Sequence, residues 1–141
     1  MGSGSAGPRL DQQGIDASAA RSAYRMAAVR AAIGSGIVMA PAPVLWSWGF
    51  SQEQRRSGAV KALLRVLGGR DAVLGLATMA ARDDPTALRT MVSASAAIDT
   101  GDTVVSLALA VASPEARVPA VAWVLVGVPF SALGWRIRQR L

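Results

Sequence analysis

Two pairs of charged residues lie inside long apolar stretches of this chain, and their types are suited to acid and base chemistry. Arg70 and Asp71 are adjacent in the middle of one stretch, and Asp99 and Asp102 lie in the middle of the next. A protonated carboxyl group beside a carboxylate held by an arginine can protonate an alkene, open an epoxide or shift a double bond. In that scheme Asp99 or Asp102 is the acid or base, Asp71 is its partner and Arg70 orients them.

The position of these charges in the middle of apolar stretches needs an explanation, because both stretches are long enough to cross a bilayer. An ionised side chain at the bilayer centre costs about 2.5 to 3.5 kcal/mol on insertion scales. Such a residue is therefore expected only where it is paired with an opposite charge, is hydrated or has a function. Three carboxylates around one guanidinium cannot all stay ionised in a low dielectric, so we expect at least one Asp to be protonated near neutral pH. The alternative is an ion-pair network that only fixes the register of the helices.

Two further arginines, Arg30 and Arg65, also fall within apolar stretches. Counting them gives three arginines for three aspartates, so complete pairing is possible. Both lie away from the middle of their stretches, however, and long basic side chains there can reach the headgroups at opposite surfaces. The sequence therefore predicts a central site with Arg70 as its arginine.

The elements that must position these residues are four predicted membrane spans, at about residues 24–46, 60–81, 88–112 and 118–135. The last span, Val118 to Trp135, contains no ionisable residue. The sequence predicts an all-α integral membrane four-helix bundle formed by residues 18–141, after a flexible tail at residues 1–17. Lys and Arg beside the spans place both termini in the cytoplasm, so we expect a multi-pass protein of the cell membrane in contact with the lipid bilayer. A soluble alanine-rich bundle is the alternative.

Local signals predict where the helices begin and end. Ser18 is a candidate N-cap of the first helix, and Pro41 and Pro43 should disturb its end. Ser51 and Gln54 have the spacing of a capping box that opens the second helix. Asp84 followed by Pro85 is a typical start for the third helix.

Polar and small residues on the second and third helices extend the predicted site. Ser95 and Ser106 continue the spacing of the two aspartates of the third helix, which predicts a polar stripe turned away from lipid. Gly68 and Gly75 share a helix face with Asp71, which predicts close helix packing there. We expect Ser95, Ser106, Gly68 and Gly75 to contact a ligand.

Composition excludes several classes of function. The chain of 141 residues supports one domain and has neither Cys nor His, which excludes disulfides, His-based metal sites and Ser-His-Asp triads. We therefore expect no metal and no cofactor. The net charge of +6 comes from basic residues that flank apolar segments, so we expect no nucleic acid partner.

Two runs resemble a known group of proteins. The run LLRVLGGRDAVLGL and the later run SASAAIDTGDTVVSLALA are similar to small bacterial four-helix membrane proteins described as DoxX-like. The resemblance covers the second and third helices, about a third of the chain. It implies a four-helix architecture and supplies no catalytic residues.

These observations predict a site that binds or converts a lipophilic small molecule such as an isoprenoid. Cyclisation, isomerisation or epoxide opening would need only the carboxylates. A non-catalytic accessory or assembly subunit is an alternative, because small-residue helix faces could dock a membrane-protein partner or a second copy. Proton or ion transport by a homo-oligomer is a further alternative.

Overall fold

The computed structural model describes residues 16–141, and these residues form six α-helices, which confirms the prediction of an all-α fold. Four helices are long and two are short. The long helices are α1 (Ala17–Met39), α4 (Gly58–Ala80), α5 (Pro85–Ala112) and α6 (Arg117–Arg138), and the short ones are α2 (Ala42–Ser47) and α3 (Gln52–Arg56). Single 3₁₀ turns at Ala81–Asp83 and Pro114–Ala116 connect α4 to α5 and α5 to α6. The predicted tail at residues 1–17 lies almost wholly outside the described residues.

The helix ends follow local side-chain chemistry. Asp16 caps α1 by accepting the backbone N–H of Ser18 at 2.8 Å, and hydrogen bonds from Ser18 lower the pKa of Asp16. Asp84 accepts the N–H groups of Thr86 and Ala87 at 2.9 and 3.0 Å, with Pro85 as the first residue of α5. The cap predicted at Ser18 is therefore provided by Asp16, whereas the predicted start at Asp84 and Pro85 is observed.

The segment between the first and second long helices differs from the predicted helix boundaries. α1 ends at Met39, because Ala40 precedes Pro41 and takes a non-helical backbone conformation. The capping box of Ser51 and Gln54 is present, but it opens the five-residue helix α3. α4 begins afterwards with its own cap, Ser57. The chain therefore folds back through two short helices instead of extending the long ones.

Small residues bring α1 and α4 into close contact. A Cβ on Gly34 would lie 2.5 Å from the backbone oxygen of Gly68, and one on Gly75 would lie 2.6 Å from the backbone nitrogen of Ala31. Glycine is therefore required at these crossings, where the two backbones nearly touch. Gly75 meets Ala27 and Ala31 near the middle of α1, whereas the earlier Gly68 meets Gly34 and Ile37 closer to its end, so the two helices run antiparallel.

A second antiparallel pair is formed by α5 and α6. Gly134 lies against Ala96, and the Arg138 Nε donates to the Ser93 hydroxyl at 3.1 Å. Towards the other end of the pair, the Arg117 Nε donates to the Ala110 carbonyl at 3.1 Å. The four long helices therefore alternate in direction, and the starts of α1 and α5 lie at the same end as the chain's C-terminus.

Two apolar clusters occupy opposite ends of the helices. The cluster near the C-terminus has its buried residues on α1, α5 and the end of the chain: Ala19, Ala23, Met26, Leu88, Val92, Ile137 and Leu141. The cluster near the short helices consists of Ile37, Leu45 and Leu64, with Phe50 and Trp123 packed against it. Between the two clusters lies a layer of charged side chains.

The outer surface is rich in exposed large apolar side chains. They occur on all four long helices, for example Val29, Val73, Leu107 and Leu125. Within the described residues, the segments Pro85–Ala112 and Pro114–Arg138 are long and apolar enough to cross a membrane. Only 17% of the most apolar part of each is buried, whereas a core helix of a soluble protein is mostly buried.

Candidate functional site

The charged layer is centred on Arg30, which lies near the middle of α1 and is 5% exposed. Its guanidinium donates to Oδ2 of Asp99 on α5 and to Oδ1 of Asp71 on α4, the latter at 3.4 Å. Removing a guanidinium from water is costly unless carboxylates replace the lost hydration. The two aspartates supply that replacement, and they do so from different helix pairs.

A second arginine completes the layer from the side of α4 and α5. The Arg70 guanidinium donates to both oxygens of Asp102, at 3.1 and 2.5 Å. It also donates to Oδ1 of Asp71, at 3.1 and 3.3 Å. The parallel pair of bonds to Asp102 is the geometry in which arginine recognises a carboxylate most strongly.

The result is one continuous network, which we call the Arg/Asp network: Asp99, Arg30, Asp71, Arg70 and Asp102. Asp71 links its two halves, because its Oδ1 accepts from both arginines. Two guanidinium groups face three carboxylates, so the fully ionised network carries one net negative charge. It connects α1 and α4 to α5, across the boundary between the two helix pairs.

The structure corrects the role expected for Arg30. The sequence suggested that Arg30 lies near the start of its span and reaches the headgroups, but the side chain is buried at the network centre. The error follows from the boundaries of the helix, since a helix over 17–39 puts residue 30 near its middle. Arg65 does lie on the exposed surface, where its Nε donates to the Val38 carbonyl at 3.2 Å.

A cavity of about 320 Å³ lies beside the Arg/Asp network, between the two helix pairs. Asp71, Asp99 and Asp102 contribute to its wall together with Arg30, whereas Arg70 is outside the lining and supports Asp102 from behind. On α5, Thr103 and Ser106 also line the cavity. The remaining wall is apolar and comes from α1, from α2 with the residue that follows it, and from α6: Ile33, Ile37, Val44, Trp48, Trp123, Val126, Gly127 and Phe130. Such a volume with a few polar groups is typical of sites for small molecules.

The four residues expected to contact a ligand are distributed unequally. Ser106 lines the cavity and is 8% exposed. Ser95 is buried but is not part of the cavity wall. Gly68 and Gly75 lie in the contact between α1 and α4 and serve helix packing.

The aromatic wall of the cavity was not anticipated from the sequence. Trp48 and Trp123 meet edge to face with ring centroids 4.4 Å apart, and both line the cavity. Phe130 also lines the cavity, with its ring centroid 5.9 Å from the guanidinium carbon of Arg30. Tryptophans near the ends of apolar stretches are typical of membrane interfaces. The place of Trp48 and Trp123 in the cavity wall is visible only in the structure, where the two rings are in contact.

The fold and site together define a small helical protein with an apolar exterior, a buried Arg/Asp network and an adjoining cavity. Residues 27–136 match the family described as Domain of unknown function (DUF4267), and the chain belongs to this family. The matched region contains the whole network and every residue of the cavity wall. Comparison with curated proteins and with solved structures finds no match.

Proposed function

We propose that the protein is an integral membrane four-helix bundle of the cell membrane. The support is the distribution of polarity: charged side chains meet in the interior, while large apolar side chains cover the outside of all four long helices. These helices have 22 to 28 residues. At about 1.5 Å per residue each exceeds the roughly 30 Å hydrocarbon core of a bilayer. Because the charged side chains of the network pair with one another, α1 and α4 avoid the cost of placing these charges unpaired in lipid.

We propose that both termini face the cytoplasm. The end of the bundle that holds the C-terminus carries Arg21, Arg25, Arg82, Arg89, Arg136, Arg138 and Arg140. The opposite end, with the short helices, carries Arg55, Arg56, Lys61 and Arg117. Cytoplasmic flanks of membrane helices are enriched in Lys and Arg, which favours this orientation.

The cavity supports binding of a lipophilic small molecule as the protein's function. This proposal depends on one observation, a largely apolar cavity that ends at three carboxylates. Ile37, Trp48 and Trp123 would cover a hydrocarbon body such as an isoprenoid chain. Asp99 and Ser106 would orient its polar or reacting end.

The carboxylates also give the site a route to acid and base chemistry. In its protonated form the carboxyl group of Asp99, whose Oδ1 accepts no hydrogen bond from a described residue, would donate its proton to one carbon of a double bond in the ligand. The resulting carbocation would lose a proton from the adjacent carbon to a neighbouring carboxylate, so that the double bond moves and the proton count is unchanged. Arg30 and Arg70 would fix the orientation of the carboxyl groups in this isomerisation.

An accessory subunit without a ligand remains the second candidate, but the structure favours it less. The small-residue faces that suggested docking to another protein include Ala27, Ala31, Gly68 and Gly75. These residues are occupied by the contact between α1 and α4 within one chain. A relationship to DoxX-like proteins stays a prediction.

The proposed function can be tested by identifying what copurifies with the protein. Native mass spectrometry of detergent-purified protein should detect a lipophilic molecule that is lost in Ser106→Leu, which narrows the cavity without changing charge. Ala97→Leu adds similar bulk on the exposed face of the same helix and should retain the molecule. Equal retention by both variants, or no bound molecule in any of them, would contradict a ligand function for the cavity.

A further inference from the structure

The balance of charge around the cavity bears on the kind of ligand it accepts. Three carboxylates contribute to the wall but only one guanidinium, that of Arg30. Arg30 already donates to Asp99 and Asp71, and no described residue donates to Oδ1 of Asp99. An anionic ligand would have to displace these bonds and face three carboxylates in a low dielectric, where repulsion is strong.

Besides the charged side chains, Ser106 contributes a hydroxyl group to the cavity wall. Serine and threonine side chains in α-helices commonly bond to the carbonyl four residues earlier. Thr78, Thr100 and Thr103 do so here, at 2.7 to 2.8 Å. Ser106 is more than nine-tenths buried as a residue and lines the cavity, whereas the fully buried side-chain oxygen without a partner among the described residues is that of Ser131. The Ser106 hydroxyl therefore faces the cavity and is available for a hydrogen bond to a molecule bound there.

The aromatic residues complete a setting that favours positive charge. Trp48 and Trp123 line the cavity on the side of α2 and α6, and Phe130 lies close to Arg30. The faces of aromatic rings attract cations, most strongly where water is excluded. The cavity wall therefore contains both kinds of group that an organic ammonium ion contacts, carboxylates and aromatic rings.

We propose that the ligand of this cavity is a lipophilic cation, an organic ammonium whose charge lies between Asp99 and the aromatic wall while its apolar part lies along α1 and α6. This inference rests on the proposed function and narrows its ligand class. One added positive charge neutralises the net charge of the fully ionised Arg/Asp network. The same surroundings would stabilise a carbocation formed from an alkene, so an ammonium ion would also mimic the intermediate of the proposed isomerisation.

Isosteric probes test the inference in an uncharged detergent at neutral pH. Benzyltrimethylammonium carries a permanent positive charge, and neopentylbenzene has the same shape with carbon in place of nitrogen. Titration calorimetry should show that the cation binds about tenfold more tightly or better, as expected for a charge that meets a desolvated carboxylate and aromatic rings. Equal binding of the two probes would overturn the inference.

Three variants locate the binding. Asp99→Asn should weaken the cation by about tenfold or more, whereas Asp83→Asn removes an exposed carboxylate and should have no effect. Because Asp99→Asn also removes a partner of Arg30, Ser106→Leu provides a second variant that keeps the network intact. Unchanged binding of the cation to Ser106→Leu would overturn the inference.

Two outcomes distinguish failure of the lipophilic-cation inference from failure of the proposed ligand function. If both probes bind equally and Ser106→Leu abolishes both, the cavity is a ligand site without preference for cations, and the inference alone fails. If the cation does not bind and no copurified molecule is lost from Ser106→Leu, both fail.

Discussion

At the scale of single residues, the Arg/Asp network depends most on Arg30, because its guanidinium contacts a carboxylate on each helix pair. Arg70 is more exposed, with 29% of its side chain accessible, and can be hydrated if a partner is lost. The two arginines therefore differ in what their removal would cost. Loss of Arg30 leaves Asp99 buried without its counter-charge.

Arg30→Met should strongly destabilise the protein. Removing one member of a buried ion pair costs about 3 to 5 kcal/mol, because the remaining charge is left unpaired. Arg65→Met is the matched control, since Arg65 is exposed and bonds only to a backbone carbonyl in the described structure. That change should cost about 1 kcal/mol or less. Thermal unfolding in detergent measures both, and an equal loss would contradict the central role of Arg30.

A compensating substitution tests whether the cost arises from charge. Adding Asp99→Asn to Arg30→Met removes the carboxylate that lost its partner, so the double variant should be more stable than Arg30→Met alone. A coupling energy of about 1 to 3 kcal/mol is typical of residues in direct contact. Additive losses in the double-mutant cycle would show that the two side chains do not interact.

At the scale of elements, the contact between α1 and α4 requires glycine where the backbones cross. Gly75→Ala would place a Cβ 2.6 Å from backbone atoms of Ala27 and Ala31, which cannot move without separating the helices. We expect a loss of about 1 to 3 kcal/mol, the usual cost of overpacking. Unfolding in detergent gives the value, and a neutral effect would mean that the helices are further apart than described.

Gly36→Ala is the matched control on α1. The Cβ of an alanine there meets nothing within 4 Å, so packing is unaffected. Because alanine is favoured over glycine in a helix interior by about 0.5 to 1 kcal/mol, this variant should be as stable as the parent or more stable. A destabilised Gly36→Ala would reveal a contact on this exposed face.

The sequence was sufficient to predict most elements but not their exact limits. Asp84 with Pro85, and the capping box of Ser51 and Gln54, depend on neighbouring residues and could be read directly. Whether the helix after a capping box continues depends on tertiary packing, so the short α3 was not anticipated. The predicted first span, at about residues 24–46, also differed from α1, which begins at Ala17. For this reason Arg30 was expected near the start of the span, although it lies near the middle of the helix.

The candidate site was predictable in part for a related reason. Asp71, Asp99 and Asp102 stand out because charge is rare in apolar stretches, and all three line the cavity. Trp48 and Trp123 are far apart in the sequence, and only the contact of the segment after α2 with α6 brings their rings together. Periodicity within one helix contains no information on such contacts between helices.

At the scale of the whole molecule, the proposed topology predicts which positions reagents can reach in intact cells. The chain has no cysteine, so single substitutions provide clean labels. Ser51→Cys, at the start of α3, should react with a membrane-impermeant maleimide from outside. Asp83→Cys and Gln139→Cys, at the opposite end, should react only after permeabilisation.

The reverse pattern of labelling would show that the termini face outward. Labelling of all three positions from outside would contradict an embedded bundle with a fixed orientation. Recovery of the protein without detergent would favour the soluble alanine-rich bundle, and the exposed apolar surface would then have to be covered by other copies or partners.

We propose that the cavity beside Arg30 and Asp99 lies within the membrane and holds a small molecule. The most direct measurement is an experimental structure of the protein in a lipid nanodisc. Arg30 should lie between Asp71 and Asp99, and density for a bound molecule should lie between Asp99 and the Trp48 and Trp123 rings. An Arg30 side chain that extends to the headgroups, with the helix pairs closed so that no cavity remains, would rule out this site.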